Sequence, residues 1–172
     1  MNNSNILISL SAYKEAENIV KITDKIRSLF PTIKILIIND ESYDNTEKLI
    51  QEKNDENITI IQSPKKLGLG TAHKLSLVFA IKNNYDFLIT MDADFSHDPD
   101  DLPRLLYTCA KHGADVCVGS RYVPGGKIIN WPKSRYWLSF YASLYVRFIL
   151  GIKIASFFHL YFISLSDLNS PT

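Results

Sequence analysis

Phe87-Leu88-Ile89-Thr90-Met91-Asp92-Ala93-Asp94-Phe95-Ser96-His97-Asp98-Pro99 is the stretch on which the fold turns. An apolar run stops at two carboxylates one residue apart. The run Phe87 to Met91 reads as a buried strand. A strand that ends in Asp-x-Asp can hold a hard divalent cation, Mg2+ or Mn2+, through oxygen. Alternation along a strand places residues i and i+2 on one side, so Asp92 and Asp94 can reach one ion. An isolated Asp-x-Asp also fits a solvated acidic turn, and the neighbours decide. Asp98 is placed to cap a helix, with Pro99 at its first position and Asp100 and Asp101 in its first turn. Of the acidic residues here, only Asp92 and Asp94 are left without a structural role.

Upstream, short apolar runs alternate with helical patterns. Ile6 to Leu10 is read as a strand. A helix follows from about Glu15, with Ile19, Ile22, Ile26 and Leu29 at helical spacing and Pro31 as its stop. Lys34 to Ile38 is the second strand and ends at Asn39-Asp40. Asp44 with Glu47 fits a capping box for a helix running to about Lys53. Ile58 to Ile61 is the third strand, Pro64 to Gly70 a turn, and about Thr71 to Lys82 the third helix. Asp115 to Gly119 is a further strand, after the helix that Asp98 opens. This alternation predicts a mostly parallel, doubly wound α/β sheet with helices on both faces. Ligands of such sheets bind beyond the carboxyl ends of the strands. Tyr13, Glu15, Asp40, Asp92, Asp94 and Arg121 all follow strand ends and are expected to converge on one edge.

The 172 residues are enough for one domain with a core, and the 46% apolar content excludes general disorder. A net charge of +1 gives no field that would point to nucleic acid. The two cysteines, Cys109 and Cys117, lack metal-ligand spacing and read as reduced core residues of a cytosolic protein. The start of the chain lacks the basic and apolar regions of a signal peptide. No apolar run reaches the length of about 18 residues that a membrane span needs. The expected location on these features is cytoplasmic.

Other motifs carry weaker signals. Leu67-Gly68-Leu69-Gly70-Thr71-Ala72 opens the third helix, where glycines admit a close ligand and the helix N-terminus favours an anion. It equally fits a plain helix-entry turn, and it is no dinucleotide fingerprint, since it follows the third strand and lacks a third glycine. Asp40 could accept hydrogen bonds from a base or ribose, or cap a turn. Arg121 could pair with phosphate, or make a surface ion pair. The four histidines form no constellation. His73, His97 and His112 read as helix-surface or turn residues. A long helix from about Lys133 to Leu150 carries Trp137, Phe140, Tyr141, Tyr145 and Phe148 and is apolar nearly all round. Its aromatics and basic flanks fit a membrane interface, and burial in the protein is the other reading.

Taken together and in order, these motifs resemble the polyprenol-phosphate sugar synthases. These are inverting family-two glycosyltransferases of the GT-A fold, of the dolichol-phosphate mannosyltransferase type. The resemblance rests on Ser11-Ala12-Tyr13-Lys14-Glu15-Ala16-Glu17-Asn18, Asn39-Asp40-Glu41-Ser42-Tyr43-Asp44-Asn45-Thr46 and Lys66 to Ala72. Met91 to Pro99, Val118 to Gly126 and Trp131 to Ile152 continue it. It implies transfer of a hexose, most often mannose from GDP-mannose, to a polyprenyl phosphate at the cytosolic membrane face, and leaves room for a membrane-anchoring partner subunit. A UDP-glucose-dependent enzyme of the same fold is the alternative donor reading. Carried over by position, Tyr13, Glu15 and Asp40 contact the nucleotide, with Ser11 and Ile38 lining it. Asp92 and Asp94 hold the metal and the diphosphate, with Ala93 beside them and Ser96 as a further ligand. Arg121 contacts the donor. Arg135, in the loop before the long helix, meets lipid phosphate.

The pattern departs from the family at Ser11, Asn39 and Glu41, where a proline, an aspartate and a glycine are usual. Phe140 and Ser143 stand where an Arg or Lys and an Asn are common. After Ile154 the family motif stops and an apolar tail follows, which reads as a truncation or change of frame. The expected organisation is a nucleotide-sugar domain over residues 1–130, an acceptor loop and interface helix over 131–154, and an atypical tail over 155–172. A catalytically weak nucleotide-binding remnant is the alternative function.

Overall fold

The isoleucines of the first helix set the scale of the core. Ile19, Ile22 and Ile26 recur on one helical face and are all fully buried. Each contributes about 1.5–3 kcal/mol by leaving water. The structure is a computed structural model and describes residues 6–40, 44–63, 66, 68–120, 132–151 and 161–165. The chain divides into two compact units, residues 1–117 with 161–172, and residues 118–160.

In the first unit the elements are β1 (Ile6–Ala12), α1 (Ala16–Leu29), β2 (Lys34–Asp40), α2 (Thr46–Glu52), β3 (Ile58–Ser63), α3 (Leu69–Lys82), β4 (Phe87–Asp92), α4 (Leu102–His112), β5 (Val116–Val118) and β6 (Tyr161–Ser164). The last residue of β5, Val118, begins the second unit. The second unit also carries α5 (Lys133–Leu150).

The sheet runs in the order β3-β2-β1-β4-β6-β5. β1 pairs in parallel with both β2 and β4, and β2 pairs in parallel with β3. β6 pairs antiparallel with β4, Leu88 facing Ile163 and Ile89 facing Phe162. The expected mostly parallel sheet is therefore present, and part of the tail belongs to it. Phe162 and Leu165 are fully buried, and Phe162 stacks on Phe87 at 5.1 Å. Central strands covered on both faces are apolar without alternation, as in Ile35-Leu36-Ile37-Ile38. α3 is fastened to β1 by a buried contact between the Ser9 and Ser76 hydroxyls at 2.6 Å.

Three local expectations change. α3 starts at Leu69, two residues early, because Gly68 takes the turn itself at φ +81°. Asp98 caps a short 3-10 turn, Pro99–Asp101, which then runs into α4, and it accepts the Asp100 N–H at 3.0 Å. Asp44 and Glu47 form no capping box. Asp44 instead accepts the Ala16 N–H at 3.1 Å and the Thr46 N–H at 3.2 Å, tying the starts of α1 and α2 together. Glu47 accepts from Gln51 one turn on, at 3.0 Å.

α5 is exposed along most of its length. Eight large apolar side chains, from Trp137 to Ile149, are at least 38% exposed. Trp137 stacks on Tyr141 at 5.7 Å, and Tyr136 on Phe140 at 6.4 Å. Among the described residues no helix is long and apolar enough to cross a membrane.

Candidate active site

The parallel register brings three strand ends level. Ser11 of β1 faces Ile38 of β2 on one side and Asp92 of β4 on the other. β1 is also where the strand order reverses, with β2 and β3 to one side and β4 to the other. A crevice opens at such a point because the connections leave in opposite directions. Here it is a cleft of about 260 Å³ lined by Ser11 to Tyr13, Glu15, Asp40, Lys66, Gly68, Leu69, Ala72 and Asp92 to Asp94.

Most of the expected site residues meet in this cleft. Ser11, Tyr13, Glu15, Asp40, Asp92, Ala93 and Asp94 all line it. Ile38 does not. Its side chain is 1% exposed and packs in the core with Leu7, Leu36, Ala72 and Leu88. Ser96 is exposed beside the cleft and donates its hydroxyl to Asp94 Oδ2 at 2.8 Å. Arg121 and Glu41 lie outside the described residues. Arg135 is exposed in the first turn of α5, inside the helix rather than in a loop before it.

Each carboxylate is held in its own way. Asp40 is 8% exposed, and its Oδ2 accepts the Gly68 N–H at 2.9 Å. Glu15 is the N-cap of α1, and Asn18 donates its side-chain amide to Glu15 Oε2 at 2.8 Å. Asp94 Oδ1 accepts the Ser96 N–H at 2.8 Å. Asp92 is half-buried. Burial pushes its carboxyl above the usual range, His97 opposes this, Asp94 adds to it, and His73 opposes it. His73, expected at the helix surface, is half-buried beside Tyr161 at 6.2 Å, and its burial pushes its pKa down. Asn39, at the family's aspartate position, is fully buried and donates to Gln62 Oε1 at 2.7 Å across the sheet.

Two residues quoted in the motifs without a role take part. Lys66 is the basic side chain among four lining carboxylates, and its Nζ sits 3.7 Å from the ring centroid of Tyr13. Asn18 orients Glu15. Two of the four described non-glycine residues with left-handed φ flank the cleft, the other two being Asn54 and Asn84. Lys14 and Phe95 hold left-handed φ of +60° and +59° in the two loops that rim the cleft. Such conformations cost on the order of 1–3 kcal/mol and concentrate at functional sites.

Asp92 and Asp94 fit a divalent cation of the Mg2+ or Mn2+ class. Their donors are hard oxygens, and a cation would offset the unfavourable burial of Asp92. Among the described residues no group of three His, Cys, Asp or Glu side chains could hold a metal by itself. A pair of carboxylates that shares its ion with substrate phosphate is the usual arrangement for Mg2+.

Comparison with known proteins follows the same line. The family model described as Glycosyl transferase family 2 matches residues 8–166. A polyprenol monophosphomannose synthase of Mycolicibacterium smegmatis is 38% identical over 86% of this chain and 57% of its own length. An undecaprenyl-phosphate mannosyltransferase of Micrococcus luteus is 36% identical over 87% of this chain and 61% of its own length. The chain thus spans a little over half the length of these relatives. In structure it resembles a mannosyltransferase from Pyrobaculum calidifontis solved with GDP-Man and Mn2+. There the TM-score is 0.60 at 15% identity, over 96% of this chain and 47% of the other. It also resembles glucosyl-3-phosphoglycerate synthase from Mycobacterium tuberculosis solved with Mn2+ and UDP-glucose. That match has a TM-score of 0.69 at 17% identity, over 95% and 57% of the two chains. At these identities the two structures speak for the GT-A fold alone.

Proposed function

The chain belongs to glycosyl transferase family 2, and from that premise we propose that it transfers mannose from GDP-mannose to a polyprenyl phosphate, with inversion, using Mg2+ or Mn2+. The observation that carries the proposal is one cleft at the switch point. In it the Asp92 and Asp94 carboxylates meet Asp40, Glu15 and Tyr13. Two relatives at 36–38% identity named for mannosyl transfer to polyprenyl carriers support the choice of sugar and acceptor.

In this reading Asp40 and Tyr13 bind the nucleoside and Glu15 the sugar-nucleotide edge nearest α1. Lys66 offsets donor phosphate charge. Asp92 and Asp94, with Ser96 at the rim, hold the cation, which neutralises charge on the departing diphosphate. The acceptor phosphate is already anionic at neutral pH, so the protein need not supply a strong base. Its contribution is alignment of the acceptor opposite the leaving group. Arg121 meets the donor. Arg135, exposed on α5, meets the acceptor phosphate.

α5 supports a peripheral place on the cytosolic membrane face. Its exposed rings suit headgroup depth, and Lys133, Arg135 and Arg147 suit anionic lipid. The same face leaves area for a membrane-anchoring partner subunit. Incubation with radiolabelled GDP-mannose, Mn2+ and undecaprenyl phosphate tests the activity. Label in the lipid phase is the expected result. Binding of GDP with no transfer from any nucleotide sugar would favour the remnant reading, and transfer only from UDP-glucose would change the donor.

A further inference from the structure

The carboxylate pair is not positioned by the strand alone. β4 ends at Asp92, and Asp94 lies past it. The Ala93 N–H still reaches β1, donating to the Ser11 carbonyl at 3.1 Å. Because N–H groups alternate sides along a strand, the Asp92 N–H points the other way, toward β6. Among the described residues the pairing of β6 with β4 runs as far as Tyr161 opposite Thr90. The acceptor is a side chain: His97 Nδ1 takes the Asp92 N–H at 3.2 Å. Between the two, Phe95 turns in the left-handed region and Ser96 binds Asp94 through both its N–H and its hydroxyl.

We propose that His97 is the positioning residue of the carboxylate pair, its Nδ1 serving as the acceptor for the Asp92 N–H at the end of β4. The bond returns the chain onto the strand end within five residues and fixes the separation at which Asp92 and Asp94 present their oxygens. An Nδ1 that accepts places the proton of the neutral ring on Nε2. The required feature is therefore an acceptor at the Nδ1 position, not an imidazole as such. The inference rests on reading Asp92 and Asp94 as a cation site.

Three variants of the full chain separate this role from bulk or polarity. Asn places its Oδ1 where Nδ1 lies, Gln reaches instead to the Nε2 position, and Ala supplies neither. Binding of Mn2+ in the presence of GDP is read by electron paramagnetic resonance. Hydrogen exchange of the Asp92 amide is read by NMR without metal. His97→Ala and His97→Gln are expected to weaken Mn2+ binding by about tenfold or more and to expose the Asp92 amide. His97→Asn is expected to stay within about threefold of wild type and to keep the amide protected. If His97→Ala does not fold, the contrast between Asn and Gln carries the result. Equal Mn2+ binding by Asn and Gln variants, or by Gln and wild type, overturns the positioning role. A wild-type chain that binds no Mn2+ with GDP overturns the reading of the site and the inference with it.

Discussion

Asp40 and Gly68 are joined across the cleft floor, the Asp40 Oδ2 accepting the Gly68 N–H at 2.9 Å. The bond sets the end of β2 against the entry to α3, so the carboxylate and the glycine turn are placed by one another. Gly68 is the N-cap of α3 and holds φ +81°, ψ 165°.

Two neighbouring glycines should therefore respond to alanine with opposite signs. A Cβ at Gly68 or Gly70 would meet nothing within 4 Å, so neither site is limited by space. Gly68 is limited by its backbone. Gly68→Ala is expected to lower stability by about 1–3 kcal/mol. Gly70, inside α3, is expected to gain about 0.5 kcal/mol as alanine, because the unfolded chain loses freedom. Urea unfolding at constant m-value checks both.

Replacing the cation-site carboxylates should separate activity from stability. Asp92→Asn and Asp94→Asn are each expected to lower kcat/KM by about 10²-fold or more. The Asp92→Asn protein should keep or raise its Tm, since burial disfavours the charged carboxyl. Transfer assays and thermal melts on one preparation decide this. A fall in Tm matching the loss of activity would count against a functional role.

Lys66 over Tyr13 predicts a change in donor binding with little change in fold. Lys66→Met keeps the length of the side chain and removes the charge. GDP binding is expected to weaken by roughly three- to thirtyfold. Calorimetry measures it, and the loss should shrink as salt is raised.

Remote from the cleft, Arg27 closes the end of α1. It donates to Asp55 at 2.8 and 3.0 Å and to the carbonyls of Phe30, Pro31 and Ile33. Arg27→Ala is expected to cost about 2 kcal/mol. Burial by itself raises the Asp55 carboxyl, but the Asn57 N–H and the Arg27 guanidinium outweigh it and hold the group low. A lowered folded pKa stabilises above the unfolded value and stops doing so as the pH falls through the folded one. The stability gap between wild type and Asp55→Asn should thus be full at neutral pH and close below about pH 4. Denaturant melts across that range test the sign.

How much of this was legible depended on how local each signal was. Ile19, Ile22 and Ile26 announce α1 because a helix face is written within eight residues. Asp92 and Asp94 stood out once Asp98 was assigned to a cap. Asp44 misled, since its partner Ala16 lies 28 residues away and no local pattern records that pairing. Ile38 misled because a position carried over from the family resemblance does not record that its side chain packs into the core. Tyr161 to Ser164 has too few residues to declare itself a strand, and its partner in β4 is distant in the chain. His97 looked like a turn residue, and only the bond from the Asp92 N–H to its Nδ1 reveals what its ring does.

β6 also imposes a timetable on folding. The pairs β1 with β2 and β2 with β3 join strands linked by a single helix, and β4 joins β1 once residues 87–92 exist. Leu88 must wait for Ile163, some 75 residues later. Until then β4 is an open edge that displays Leu88 and Ile89, and such edges recruit other chains. Refolding should be most aggregation-prone until Tyr161–Ser164 docks and covers that edge.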